Sequence, residues 1–498
     1  MQFSPLASLR PRDFDYWKAC HLLTRAGFGG SPGQIRALAD MGLNAAVNVI
    51  VDFHKVPTTP VRADDFDYNI VRPANAEERR EIAEARQRGD EAALERFRME
   101  VQRRQAADRD QMGQIQRWWL RRMIESPRPL EENLTLFWHG HFATSYRGTE
   151  DSYHMFLQNQ FFRRNAAGNF ADLVYGIIRD PAMLKFLNND QNRRQAPNEN
   201  LARELMELFT LGEGNVYTEY DIREGARALT GYTFDDDSFT FREQWHDSGQ
   251  KRIFNRTGNF DGDDFVQLIL SQRAVSEFIC MKLYRYFVND TPGELSRSAQ
   301  QFISRLAQQF RERKYDLNVV LKTLFRSAHF YDDANIGTVI KSPAQLIVQA
   351  VRSMHTPVRN LDGLLSAMSL MGQNLFYPPS VKGWDGGRSW INTATLFVRQ
   401  NIIIYLLTGQ RPDGYAWQPD GAPFDAMHLV EHLRDPAGRL NNEEAVIDLL
   451  RFSLGTVPHP ERVRTLLEFV NSRGGMIDNS VLVGMLSLIA AMPEYQLC

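Results

Sequence analysis

The chain has 498 residues, of which 43% are hydrophobic and 11% aromatic, which is enough for a sizeable core and argues against overall disorder. Lys and Arg number 58 and Asp and Glu 61, so the net charge is −3. A nearly balanced chain lacks the basic surface that general phosphate-backbone binding requires, and we expect no general nucleic-acid binding. The length alone allows one large domain or several smaller ones.

The cysteine content and the lengths of the apolar runs indicate the cellular compartment of the protein. Cys20, Cys280 and Cys498 are too few and too widely spaced to indicate a disulfide framework or a thiolate metal site. The first residues lack the apolar region of a secretory signal, and the longest apolar runs are too short for a transmembrane segment. We therefore expect a cytoplasmic protein, although a periplasmic or exported form with its signal removed would have the same sequence.

The first distinctive segment is 76–113, which is dominated by Glu, Arg, Gln and Ala. This composition predicts a charged helical insertion exposed to solvent, with a break near Gly89 and Asp90. A second helix follows, in which Leu130, Leu134 and His141 lie on one stripe.

His139 and His141 are two positions apart in that helix. Since each residue turns about 100°, they project roughly 160° apart on an unbroken helix. They could share a ligand only if the helix unwinds at Gly140, where glycine makes the backbone flexible.

The segment 198–212 has helix signals at both ends, with Pro197 before it and Gly212 at its end. Its polar positions, at spacings of three and four, form one stripe: Asn200, Arg203, Glu204 and Glu207. Leucines form a neighbouring stripe, so we expect this helix to be mostly buried. Because unpaired buried charges are costly, the polar stripe should face inward and meet groups from distant segments. It would then be either the polar centre of the core or one wall of an active site.

Downstream, the segment 221–231 predicts a helix with small residues and a Glu224–Arg227 pair, which should pack against the 198–212 helix. Residues 238–254 predict the one β-hairpin, with a turn at His246–Gly249. The remaining periodicity is helical apart from loops. We therefore predict a mainly α protein: one large multi-helix domain over residues 1–498, with one small β-hairpin and long loops around a central polar cleft.

Several short motifs resemble a large bacterial family, the domain of unknown function numbered eighteen hundred. They lie at 26–29, 138–144, 180–183, 198–205, 228–231, 246–249, 383–384 and 493–496. The resemblance spans nearly the whole chain and implies a mostly helical single domain. Many members of that family are exported and are often encoded beside a sulfatase-like family, whereas this chain has no visible signal. The resemblance implies no particular activity.

Three interpretations of the polar residues remain open. In the first, His139, His141, His246 and Asp247 bind a divalent metal such as zinc, manganese or iron, because imidazole and carboxylate together suit such ions. A bound metal could activate water, with catalytic carboxylates from Glu199, Glu204, Glu207 and Asp385. In this interpretation, substrate would be bound by Asn200, Arg203, Arg227 and Trp384. The alternative is that His141 is a packed core residue and His246 a turn residue.

In the second interpretation, Glu204 and Glu207 form a carboxylate pair of the kind that hydrolyses glycosides, with Trp384, Trp390 and Tyr377 stacking on sugars. In the third, the Arg and Glu residues form a buried structural network. Our functional hypothesis is a metal-assisted hydrolase acting on a carbohydrate or cell-envelope substrate. The alternative is a non-catalytic binding or assembly protein.

Overall fold

The computed structural model describes residues 4–58, 66–72, 74–214 and 216–498. The first three residues, part of the segment inspected for a signal, lie outside these ranges. Within them the chain is mainly α, with 22 α-helices and two small two-stranded antiparallel sheets. The predicted fold class is confirmed. In the same ranges, no helix combines the length and apolar character needed to cross a membrane.

The first ten helices lie between residues 16 and 186. They are α1 (Tyr16–Ala26), α2 (Pro32–Met41), α3 (Leu43–Val51), α4 (Ala76–Arg88), α5 (Glu91–Glu125), α6 (Pro129–His141), α7 (Tyr146–Thr149), α8 (Ser152–Arg164), α9 (Phe170–Ile177) and α10 (Pro181–Phe186).

The middle of the chain begins with the segment that we predicted as one helix over 198–212. It consists of α11 (Asn200–Glu204) and a π-helical continuation, Leu205–Thr210. The elements that follow are α12 (Glu219–Ala228), β1 (Tyr232–Asp235), β2 (Ser238–Phe241), β3 (Lys251–Ile253), β4 (Arg256–Gly258), α13 (Gly262–Leu270), α14 (Arg273–Phe287), α15 (Arg297–Glu312) and α16 (Leu317–Arg326).

The last part of the chain is helical between long loops. Its helices are α17 (Pro343–Met354), α18 (Leu361–Leu370), α19 (Thr393–Thr408), α20 (Asn442–Leu454), α21 (Pro460–Ser472) and α22 (Asn479–Ala490).

The predicted hairpin over 238–254 is wrong in its pairing. β1 pairs with β2 and β3 pairs with β4, so 238–254 holds one strand of each of two hairpins. Both have two-residue turns, and the second places Phe254 and Asn255 at positive φ, as in the turns that suit the twist of a hairpin. The stretch 246–249, which we took as the turn, lies between the two hairpins.

The charged segment 76–113 forms α4 and the first part of α5. Gly89 ends α4 in the left-handed conformation and Asp90 caps α5, so the predicted break is confirmed. Arg104 on α5 binds Glu78 on α4 as well as Glu100, which links the two helices. Most of these side chains are exposed, as predicted.

Two hydrophobic cores meet around α6. One is built mainly from α1, α3, α9 and α13–α16, and the other from the second half of α5 and α17–α22. α6 contributes Leu134 and Phe137 to the first and Leu136 to the second. From Leu130 to Tyr146 every residue is buried except Gly140, which is half-buried.

Because α6 is buried on all sides, its polar side chains must find partners inside the protein. Asn133 donates from Nδ2 to the carbonyl oxygens of Arg25, Ala26 and Gly27 at 3.1–3.2 Å. These are among the last carbonyls of α1, which have no partner within their own helix. The Tyr286 hydroxyl donates to Asn133 Oδ1 at 2.6 Å. Asn133 therefore joins α1, α6 and α14.

Glu132 is fully buried and accepts hydrogen bonds from two neighbouring helices. Arg163 of α8 binds it through two nitrogens at 2.9 Å, Arg122 of α5 donates at 2.8 Å, and the Trp119 indole donates at 3.2 Å. Burial raises the pKa of Glu132, but the charges and hydrogen bonds of Arg163 and then Arg122 outweigh it and hold the pKa below its usual value. This carboxylate fixes α5, α6 and α8 against one another.

We expect Glu132→Gln to lower the free energy of unfolding by about 3 kcal/mol, because two guanidinium groups then lose their buried counter-charge. The lowered pKa means that this stabilisation is present above about pH 4.5 and disappears as the pH falls further. The difference between wild type and variant, measured by guanidinium denaturation, should therefore shrink below about pH 4.

Glu125→Gln is the control, because Glu125 is half-exposed and its ion pair with Arg121 spans 3.9 Å. It should change stability by less than about 0.5 kcal/mol. A Glu132→Gln effect that is as small, or that does not vary with pH, would contradict the role given to this carboxylate.

Candidate functional site

A cleft of about 270 Å³ lies where the two cores meet. Its walls are the end of α6, the end of α14, the first turn of α17 and the loop that precedes α19. The polar side chains that line it are His141, Lys282, Arg285, Asp290, Ser342, Gln345, Gln373, Lys382 and Asp385. The aromatic ones are Phe137, Tyr286, Trp384 and Trp390. The predicted cleft is therefore present, but α6 and α14 form its walls and α11 does not.

His141 ends α6 and links it to two other segments. Its Nε2 lies 2.9 Å from the carbonyl oxygen of Phe209, and its Nδ1 lies 3.2 Å from Lys282 Nζ. A carbonyl accepts and an ammonium donates, so Nε2 carries the proton and Nδ1 accepts. Burial, and then the charge of Lys282, place the pKa of His141 well below its usual value, so the ring is neutral.

The Phe209 carbonyl is available to His141 because it lies in the π-helical turn at the end of its helix. There the Leu211 amide donates to the Met206 carbonyl, five residues back, and the Thr210 hydroxyl donates to the Leu205 carbonyl. The final carbonyls of a helix need partners from outside it. π-helical turns occur often at functional sites, and this one orients a cleft residue.

Two glycines bring the 380–390 loop against α6. A Cβ on Gly383 would lie 2.2 Å from the Gly140 carbonyl oxygen, and Gly383 has a φ of +83°. Only glycine meets both conditions. The contact places Trp384 over Gly140 and leaves Asp385 exposed at the cleft. Of the predicted site residues, His141, Trp384 and Asp385 are thus brought together.

His139 lies on the other side of α6. Its ring packs against Trp119, Phe376 and Trp384 with centroids 5.1–5.6 Å apart. Neither ring nitrogen has a hydrogen-bond partner among the described residues. Burial lowers the pKa of His139 to about 3, so the ring is a neutral part of an aromatic cluster. The helix does not unwind at Gly140, and the two histidines keep the separate directions expected for an unbroken helix.

His246 and Asp247 hold a loop near α12. His246 Nδ1 contacts the Thr230 carbonyl at 2.9 Å, and Asp247 binds Arg227 at 2.7 Å. Arg227 also binds Glu224, as predicted from their spacing. The structure therefore does not gather the four predicted metal ligands into one cluster, and no group of three or more His, Cys, Asp or Glu suited to a metal occurs in the described ranges.

The polar stripe of 198–212 lies at the surface, which corrects our expectation that it faces inward. Asn200 is exposed, and Arg203 is about one-third exposed among the carboxylates of Glu199, Glu207 and Glu219. The apolar stripe fills the core instead, so the charges keep contact with water. α12 does pack against α11, as predicted, and carries Glu219.

These ion pairs do not form the single buried network of our structural interpretation. Arg203 and Arg227 have separate carboxylate partners. Glu204 is half-buried, and burial, then the charge of Glu207, raise its pKa. Lys382 of the Trp384 loop adds a favourable charge to Glu204 and pairs with Glu213 at 2.6 Å. Glu204 and Glu207 therefore adjoin that loop without lining the cleft.

Sequence reasoning did not single out Lys282, Arg285 and Asp290. The spacing of Lys282 and Arg285 places both on one face of a helix, which was visible in the sequence. Charged residues on an amphipathic helix usually face solvent, and only the packing of α14 against α6 places this pair at a cleft.

Fold and site together define a large mainly α protein with a cleft between two hydrophobic cores. The chain belongs to the family described as protein of unknown function (DUF1800), whose model matches residues 21–497. The resemblance inferred from the motifs is confirmed. A search of the curated proteins and a search of the solved structures gave no match.

The surroundings of the two α6 histidines predict opposite responses to the same substitution. His139→Phe should change the free energy of unfolding by less than about 1.5 kcal/mol, because it replaces a ring among aromatic rings and removes two unpaired nitrogens. His141→Phe should lower it by about 2–3 kcal/mol, because the Phe209 carbonyl and Lys282 then lose their partner. Denaturant unfolding checks both.

Metal analysis of the purified variants is the companion measurement. Stoichiometric metal in the wild type that disappears in His139→Phe would contradict the packing role of His139.

Proposed function

We propose that the cleft between the two cores binds a small polar molecule and is the functional site of the protein. The observation that carries this proposal is the convergence of charged, amide and aromatic side chains from α6, α14, α17 and the 380–390 loop on one cavity. Its volume of about 270 Å³ is near the lower end of the range for ligand sites, ~300–1,000 Å³. The proposal covers a binding protein as well as an enzyme.

The lining supports a ring compound such as a carbohydrate as the ligand. Trp384, Trp390 and Tyr286 provide apolar ring surface, and Gln345, among the polar groups, provides hydrogen-bonding capacity. A mostly apolar wall with a few polar groups that fix orientation is typical of small-molecule sites. This matches the carbohydrate class of the sequence-based hypothesis. A metal-assisted reaction has less support, because the four predicted ligands lie apart.

Filling the cleft should abolish binding. Gln345 lies in the first turn of α17 at the wall of the cleft, and its side chain has no hydrogen bond in the described part of the chain. We expect at least one of glucose, N-acetylglucosamine, glucuronate and glucose 6-phosphate to raise the melting temperature of the wild type, because ligands stabilise the state that binds them. The same compound should leave Gln345→Trp unshifted.

Gln301→Trp is the matched control, since Gln301 is exposed on α15 away from the cleft. It should respond to the ligand as the wild type does. No shift with any of the four compounds, or an equal shift in Gln345→Trp, would count against the proposal.

A second candidate function is glycoside hydrolysis by Glu204 and Glu207. One observation favours it: burial raises the pKa of Glu204 beside a second carboxylate and next to the Trp384 loop. Pairs of carboxyls with separated pKa values supply the acid and the base or nucleophile of glycosidases. Residues three apart on an α-helix have Cβ atoms roughly 5–6 Å apart, and Glu204 and Glu207 span the junction between α11 and the π-helical turn. That spacing is compatible with the carboxyl separation of about 5–5.5 Å in retaining enzymes.

This candidate predicts activity on 4-nitrophenyl glycosides. Glu204→Gln should reduce kcat by about 10²–10⁴-fold while the protein stays folded, because losing the proton donor removes general acid catalysis without removing a packed group. Glu219→Gln, at a largely exposed partner of Arg203, should keep full activity. Absence of hydrolysis by the wild type, or full activity in Glu204→Gln, rejects this candidate.

A further inference from the structure

We infer that the cleft binds its ligand through an anionic group, a carboxylate, phosphate or sulfate, held by Lys282 and Arg285. This inference rests on the proposed function and names the chemical class of its ligand. Four observations carry it, and each concerns the environment of Lys282 on the cleft-facing side of α14.

The first observation is that Lys282 has no carboxylate partner in the described part of the chain. Its Nζ contacts His141 Nδ1 at 3.2 Å and lies 5.1 Å from the centre of the Phe278 ring. Both neighbours are neutral, so neither cancels the charge of the ammonium. Lys282 is partly buried, and an ammonium withdrawn from water without a counter-charge is costly. An anion entering the cleft would supply that charge.

The second observation is the fixed state of His141. Because its Nε2–H donates to the Phe209 carbonyl, its Nδ1 is held as an acceptor toward Lys282. An ammonium has three N–H donors, and His141 uses one of them. The other two are available to ligand oxygens, and the histidine keeps the amine pointed in one direction.

The third observation is burial. Burial alone lowers the pKa of Lys282 to about 8, so the amine still carries a proton at pH 7. A cleft residue whose pKa is shifted by its surroundings in this way is a candidate for a functional role.

The fourth observation is the second cation. Arg285 lies one helical turn beyond Lys282 on the same face of α14 and lines the same cleft. Its pair with Asp290 spans 3.6 Å, and its side chain is 39% exposed. A guanidinium in this loose pair retains N–H donors for a ligand anion. Lys282 and Arg285 together therefore form an anion-binding site with two cationic groups.

The decisive experiment titrates the full-length protein with inorganic phosphate and follows heat release. We expect the wild type to bind phosphate and Lys282→Met and Arg285→Met each to lose at least tenfold in affinity. Lys185→Met is the matched control, because Lys185 is exposed and lies outside the cleft. It should bind phosphate as the wild type does. No binding by the wild type, or equal binding by Lys282→Met, overturns the inference.

A stability measurement separates this role from a structural one. Without ligand, Lys282→Met should change the melting temperature by less than about 2 °C, because removing an ammonium that has no carboxylate partner among the described residues offsets the loss of its hydrogen bond to His141 Nδ1. A structural lysine would give a larger fall instead. The combination of an unchanged melting temperature with weaker phosphate binding supports the inference, and a fall of more than about 2 °C contradicts it.

A pH series with sulfate, which keeps its charge throughout, tests the protonation of Lys282. The charged or titratable groups that line the cleft with it are His141, Arg285, Tyr286, Asp290, Lys382 and Asp385, of which His141 contacts it directly. Since the pKa of Lys282 is lowered to about 8, sulfate affinity should fall as the pH rises from 7 to 9. Lys282→Arg should remove that fall, because guanidinium stays charged. Unchanged affinity in the wild type over this range contradicts the inference.

Glucose and glucose 6-phosphate distinguish failure of this inference from failure of the proposed function. Tighter binding of glucose 6-phosphate than of glucose by the wild type, with the difference lost in Lys282→Met, supports both. Equal binding of the two sugars, unaffected by Lys282→Met, overturns the inference that Lys282 and Arg285 bind an anionic group. It leaves the proposal that the cleft is a binding site in place.

Discussion

The structure depends on the complete burial of α6 between two hydrophobic cores. A helix in that position needs internal partners for its polar side chains, and its neighbours supply them for Glu132, Asn133 and His141. Glu132 binds arginines of α5 and α8. Asn133 is hydrogen-bonded to the end of α1 and to Tyr286 of α14. His141 is hydrogen-bonded to the π-helical turn and to Lys282. The organising helix is therefore α6, and the 198–212 segment is one of the elements anchored to it.

The α6 side chains take part in two contrasting charge arrangements, one fully paired and one without a carboxylate partner in the part of the chain that the structure describes. Glu132 has two guanidinium partners and an indole donor, and its role is to stabilise the fold. His141, about two and a half turns later, contacts an ammonium that has no carboxylate partner in the described ranges and that borders a cleft. The charge of Glu132 is fully matched by its protein partners, whereas the charge of Lys282 has no carboxylate partner among the described residues. This difference is the reason for placing the candidate site beside Lys282.

Sequence patterns predicted much of the fold because they report local constraints. The break at Gly89 follows from the left-handed conformation that glycine adopts easily, and helix periodicity identified α6 and α14. The opposite directions of His139 and His141 follow from helix geometry alone. Within the candidate site, the sequence identified His141, Trp384 and Asp385, whose histidine and tryptophan motifs stand out in the chain.

The sequence by itself thus determined the helical class and, through its motifs, the family, since helical periodicity and short motifs depend on neighbouring residues. Only the tertiary structure decided which face of each helix is buried and which distant groups meet. The stripe at Arg203 and the pair at Lys282 and Arg285 have the same helical spacing, yet the first lies among carboxylates at the surface and the second borders the cleft. Periodicity gives the direction of a side chain relative to its own helix, whereas exposure depends on the helices that pack around it.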